Sequence, residues 1–182
     1  MRPSFTGHPV AEAILLLSLG AWMVIERRQA MNRRPDATSF DRRSLLVMQL
    51  FVAAGIVLAA VTLRVTPTAL PYDPATFAVS LGAVWAGIGL RWWSFRTLGR
   101  YFTFTVMTSA NQPVITTGPY RVLRHPSYTG ILLILAGIGL GFGNWLSLAA
   151  ITLVPLAGFV YRIRVEEGHC PRPSVLHMRA TR

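Results

Sequence analysis

The chain has 182 residues, of which 52% are apolar and only 14% charged, yet its formal net charge is +11. Basic charge on a chain whose apolar residues come in long uncharged blocks excludes a nucleic-acid-binding domain and points to a membrane. The single cysteine, Cys170, excludes an intrachain disulfide, and no second His or Cys stands at metal-ligand spacing, so no metal is expected.

Five apolar segments follow in order: Val10–Ile25, Leu45–Leu63, Ala75–Leu90, Tyr128–Phe142 and Trp145–Tyr161. Only Arg2 precedes the first, no small-residue cleavage site is visible, and Glu26-Arg27-Arg28 follows at once. That pattern predicts a retained span rather than a cleaved signal. The connection RRQAMNRRPDATSFDRR reads as a solvated basic loop lying against anionic headgroups. The second segment is the clearest span, 19 residues without a charge. The other four run 15–17 residues, short of the roughly 20 that a helix needs to cross the bilayer core. Local thinning or aromatic anchoring must help them, and Trp22, Trp92, Trp93 and Trp145 lie near segment ends, where interfacial Trp is common.

Every basic residue is arginine, and their distribution predicts orientation. The first and third connections and the C-terminal tail hold sixteen of the eighteen; the other side holds Arg2 and Arg64. Such asymmetry predicts an outside N-terminus, a cytoplasmic C-terminus and an odd number of spans. The expected fold is therefore an all-α integral membrane protein of about five transmembrane helices, the last two forming a helical hairpin. Its expected organisation is three spans in residues 1–94, a motif region with the hairpin in 95–167, and a separate tail in 168–182.

The motif is GPYRVLRHPSYTG, residues 118–130, which packs Arg, His, Tyr and Pro side chains just before an apolar run. Pro126 suits the first position of the fourth helix, where its missing N–H costs nothing. Arg124 and His125 then sit at a helix N-terminus, which already favours an anion. Tyr128 offers a ring for a cation and a hydroxyl that can donate, and Gly130 removes a side chain where something must come close. If the fourth and fifth helices are antiparallel and nearly equal in length, RIRVEE, residues 162–167, emerges beside RHP. Glu166 and Glu167 would stand at a helix C-terminus, where the dipole disfavours them, with Arg162 at i,i+4 spacing from Glu166. Two such carboxylates opposite two cations look like a site.

GIGLGFGN, residues 137–144, imitates a nucleotide-binding glycine loop, but it lies inside a hydrophobic run and the next acid is Glu166. Gly137/Gly141 and Gly139/Gly143 are read instead as small-residue pairs that let helices approach. The adjacent His169 and Cys170 are read as incidental.

GPYRVLRHPSYTG followed by a hairpin and RIRVEE resembles the isoprenylcysteine carboxyl methyltransferase family, bacterial members included. LGRYFTF, residues 98–104, and the TTGPY approach fit as well. The resemblance covers roughly residues 95–167, and the earlier spans share only hydropathy with it. It implies an integral membrane methyltransferase, by this likeness in a bacterial inner membrane. The implied donor is S-adenosyl-L-methionine, held in a cytoplasmic-side pocket. The implied partners are membrane lipids and a small lipophilic acceptor, an isoprenylcysteine-like carboxylate among the options; nucleic acid is not expected. By motif position the donor pocket would include Tyr120, Arg124, His125, Pro126, Tyr128, Gly130 and Glu166. Arg162 and Glu167 would serve catalysis and acceptor placement, Arg162 by orienting an acceptor carboxylate. After the glutamates the family continues through a helix with a Tyr pair, whereas this chain reads GHCPRPSVLHMRATR. Gly168, Pro171 and Pro173 are expected to prevent a continuous helix there, as in a truncated tail. A catalytically impaired homologue, or a sterol-reductase-like NADPH-binding protein using Arg172 and Arg179, therefore stand as alternatives.

Overall fold

The computed structural model describes residues 9–31, 42–65, 73–99 and 117–169. The middle of the first basic connection, LGRYFTF beyond Gly99, and the tail after His169 lie outside the described residues. Five helices occupy the rest: α1 (Pro9–Met31), α2 (Arg42–Val65), α3 (Pro74–Leu98), α4 (Pro126–Gly141) and α5 (Trp145–His169), with a 3-10 turn at Gly118–Arg121 before α4. No strand occurs among the described residues. Two of the helices, over Arg43–Arg64 and Trp145–Gly168, are long and apolar enough to cross a membrane, while α4 is apolar but only 16 residues long.

Each helix is longer than the apolar segment that predicts it, α4 by a single residue and the other four well beyond, at 23 to 25 residues. The extensions carry the arginines: Arg27 and Arg28 lie near the end of α1, Arg42 and Arg43 open α2, and Arg91 and Arg96 lie inside α3. Long arginine stems cover apolar surface while the head reaches polar surroundings, so a helix need not stop where hydropathy does. Likewise Gly168 does not interrupt α5, which runs through it to His169.

Caps define the ends that matter. The Asp73 carboxylate accepts from the N–H groups of Ala75 at 3.1 Å and Thr76 at 3.3 Å, and Pro74 occupies the first position of α3. Those backbone donors hold the Asp73 carboxyl below its ordinary range. At the hairpin, Gly143 takes a φ of 64°, a conformation costly for other residues. Asn144 then caps α5, its Oδ1 accepting from Leu146 N at 2.9 Å and Ser147 N at 3.0 Å.

Two helix pairs make the body: α3 packs on α4, α2 packs on α5, and the hairpin joins the pairs. Close approach in each depends on glycine. A Cβ on Gly87 would lie 2.5 Å from Gly130 O, and one on Gly137 would lie 2.7 Å from Ser80 O. In the other seam Gly55 makes room for the Pro155 ring and Gly158 for Phe51. Gly137 and Gly141 both face Ser80 of α3, as a small-residue pair should. The Gly139/Gly143 pair divides: Gly139 meets Leu148 and Ile151 of α5, while Gly143 serves the turn. Polar side chains inside the bundle bond across it. Ser80 Oγ donates to Gly137 O at 2.7 Å, and Ser147 Oγ donates to Ala59 O at 2.9 Å and meets Thr62 Oγ1 at 3.0 Å.

The seam makes a prediction. Gly137→Leu should destabilise the protein by about 1–3 kcal/mol, because its Cβ collides with backbone. Gly82→Ala, with open space at the added carbon, should be neutral or slightly stabilising. Thermal unfolding of the two variants in detergent checks the contrast.

Candidate functional site

The start of α4 and the end of α5 meet, as the hairpin argument requires. The two rods are unequal, 16 and 25 residues, so it is the last two turns of the longer α5 that reach the His125 turn. Pro126 is the first residue of α4 and is buried, with His125 at the N-cap position.

Glu166 is the centre of the cluster. Its Oε1 accepts from the Tyr128 hydroxyl at 2.6 Å and from Arg162 Nε at 2.9 Å, while its Oε2 lies 3.7 Å from His125 Nδ1. Glu167 lies on the outer side, 3.5 Å from His125 Nε2 and 3.9 Å from Arg124 Nη1. Tyr128 stacks between His125, centroids 5.8 Å apart, and Phe159 of α5, 5.3 Å away. The result is a graded cluster. Arg162 is 0% exposed at its base, and the Arg124 side chain is 88% exposed at its mouth. A polar ligand arriving from solvent therefore meets exposed charges first and buried ones last.

Arg162, expected to orient an acceptor carboxylate, is instead walled in. It donates to Glu166 and to Ser44 Oγ of α2, so in this arrangement its charge holds Glu166 and ties α5 to α2. Gly130 faces α3, where a Cβ would lie 2.6 Å from Arg91 Cγ and 2.9 Å from Gly87 O. Its missing side chain is thus explained by helix packing. Tyr120 lies on the α3 side, bonded to Ser94 and near Arg91. Burial pushes its hydroxyl up to about 12, outweighing the Ser94 bond and the Arg91 charge.

Sequence reasoning missed Ser44, Ser94, Ser127, Glu26 and above all Arg91. Arg91, taken for a connection arginine, is a buried residue of α3, bonded to Glu26 of α1 and to Ser127 of α4. A signal was present: Arg91 directly continues the apolar segment that ends at Leu90, where an unpaired charge is expensive.

The described residues that carry the cluster, from α3 to α5, coincide with a family match. The family model for phospholipid methyltransferases matches residues 75–172. The chain belongs to the phospholipid methyltransferase family. Within it, the likeness to isoprenylcysteine methyltransferases is borne out by two relatives named probable protein-S-isoprenylcysteine O-methyltransferase, from Oryza sativa subsp. indica and subsp. japonica. Each is 40% identical over 73 residues, 39% of this chain and 38% of the relative. The matched stretch thus spans well under half of those relatives' length. A third relative, uncharacterized protein YpbQ of Bacillus subtilis (strain 168), is 20% identical over 167 residues, 90% of this chain and 96% of that protein. The family match begins at Ala75, so α3 belongs to the shared unit as well as the motif and the hairpin.

Two outcomes follow. Glu166→Ala leaves the buried Arg162 charge without its carboxylate and should cost about 3 kcal/mol or more. Glu167→Ala, at a half-exposed pair, should cost under about 1 kcal/mol; denaturant unfolding in mild detergent compares them. Alkaline titration tests Tyr120. Its ionisation in the folded protein lies above that of an unfolded Tyr, so its contribution to stability is intact below pH about 10. That contribution is lost as pH rises towards about 12, and Tyr120→Phe should remove that part of the decline.

Proposed function

We propose that the chain is an integral membrane methyltransferase that passes the methyl group of S-adenosyl-L-methionine to a small lipophilic acceptor. An isoprenylcysteine-like carboxylate is the favoured acceptor. The observation that carries the reading is the meeting of His125 and Tyr128 with Glu166 and Glu167 across the hairpin, at 2.6–3.7 Å.

The residues suit such a donor. A sulfonium is a soft cation, and the stacked Tyr128 and His125 rings present it an aromatic face. An amino-acid carboxylate suits Arg124 and the positive end of the α4 dipole, while an ammonium or ribose hydroxyls suit Glu166 and Glu167. Arg124 and Glu167 are only loosely paired with each other, at 3.9 Å and largely in solvent, so they can re-pair with a ligand at little cost. S-adenosyl-L-methionine, when bound, supplies the activated methyl group. The protein's own part is to align donor and acceptor for an in-line displacement and to exclude water. Arg162 contributes by fixing Glu166, and Tyr128 by closing the cluster towards Phe159. A carboxylate acceptor attacks as the anion and needs no general base, which agrees with a site whose inner groups are already committed to one another.

Membrane residence is supported by the surface. Of the apolar window in α2, only 22% is buried, and Leu46, Leu50, Val57 and Val61 are exposed along it. A water-soluble core helix is covered; exposed apolar surface on this scale belongs against lipid. The arginine distribution supports a cytoplasmic site with the N-terminus outside.

In detergent, S-adenosylmethionine and S-adenosylhomocysteine should raise the melting temperature and give a calorimetric binding isotherm, whereas NADPH should do neither. His125→Ala and Glu167→Gln should each weaken donor binding by about tenfold, the loss expected for one charged hydrogen bond, with little change in unfolding for Glu167→Gln. Absence of any stabilisation up to millimolar donor would sink the proposal.

A further inference from the structure

Arg91 is 2% exposed, where α3 packs on the first turn of α4. A guanidinium in such a place is tolerated only when its donors are matched by groups from its neighbours. Here they are matched by two different helices. Nε and one terminal nitrogen meet the Glu26 carboxylate of α1, and the guanidinium lies 4.8 Å from the Phe95 ring centroid. The other terminal nitrogen donates to Ser127 O at 2.8 Å and to Ser127 Oγ at 2.9 Å.

Ser127 stands between Pro126 and Tyr128 in the first turn of α4, two residues from His125. Gly130, one turn on, lets that helix press against the Arg91 stem, since any Cβ there would lie 2.6 Å from Arg91 Cγ. An arginine needed only for topology would sit exposed among headgroups. One needed only as a buried counter-charge to Glu26 could match its remaining N–H groups with any nearby acceptor. Here both of those bonds go to Ser127, in the turn that carries His125 and Tyr128.

We infer that Arg91 is a positioning residue: with Glu26 as its counter-charge, it clamps Ser127 and fixes the His125–Tyr128 turn opposite Glu166. The functional half of this inference rests on the methyltransferase reading. Its structural half does not.

The test separates charge balance from the clamp. Exchanging the pair, Glu26→Arg with Arg91→Glu, restores an ion pair between α1 and α3 but puts a carboxylate where Ser127 O needs a donor. Two quantities are read beside the melting temperature. One is the S-adenosylhomocysteine Kd. The other is the distance distribution between spin labels at the exposed positions Val122 and Arg164, on a Cys170→Ser background. The exchange should regain the melting temperature lost in Arg91→Gln, while the Kd stays about tenfold or more weaker, as for a lost charged hydrogen bond. The label distribution should stay broadened. Arg91→Lys, which keeps the charge and loses the fork, should give the same pattern and serves if the exchanged protein does not fold. Recovery of both affinity and a narrow distribution in either variant overturns the inference. If the wild-type chain binds no donor, the methyltransferase reading fails by itself. The label distances then decide the clamp alone, and an unchanged distribution in Arg91→Gln would overturn it.

Discussion

A guanidinium removed from water must find partners for all its donors, and two such groups determine how this bundle holds together. Arg162 reaches Glu166 on its own helix and Ser44 on α2; Arg91 reaches Glu26 on α1 and Ser127 on α4. Between them they touch all five helices. Burying each charge costs several kcal/mol before its partners are counted, so these contacts add little net stability. Their effect is on arrangement: any packing that separates an arginine from its partners leaves a charge stranded in an apolar interior.

The glycine seams make those contacts possible. An arginine side chain spans a helix interface only when the backbones beside it are close, and Gly87, Gly130 and Gly137 bring α3 and α4 into near backbone contact. Gly55 and Gly158 do the same for α2 and α5 around Pro155 and Phe51. Close packing of small residues is also the main source of helix association where the hydrophobic effect between helices is weak. Steric fit and ionic pairing thus select the same register.

The candidate site inherits its geometry from that register. Glu166 is held from below by Arg162 and from the side by Tyr128, leaving Oε2 towards His125. The residues that brace it are not confined to the stretch shared with the family. Ser44 and Glu26 lie on α2 and α1, ahead of the matched residues 75–172. The two N-terminal helices therefore also supply partners to the buried arginines, Glu26 of α1 to Arg91 and Ser44 of α2 to Arg162.

The five helices, their order and the hairpin were legible in the sequence because hydropathy and turn chemistry are local. So were Pro126 as the start of α4, the Arg162–Glu166 pair one turn apart, and the meeting of RHP with the paired glutamates, which needs only an antiparallel return. Helix lengths were underestimated because arginine stems let a helix outrun its apolar stretch. Equal-length rods were expected and unequal ones found for the same reason. The partners that Arg91 and Arg162 find on other helices were beyond sequence reasoning. Whether an arginine at the end of an apolar segment snorkels to the headgroups or turns inward depends on a carboxylate or hydroxyl tens of residues away. Glu26 and Ser44 occupy those places only once the helices are packed. Spacing along one chain determined which groups could meet across the hairpin; tertiary packing alone decided which charges are buried, because burial is a property of neighbours.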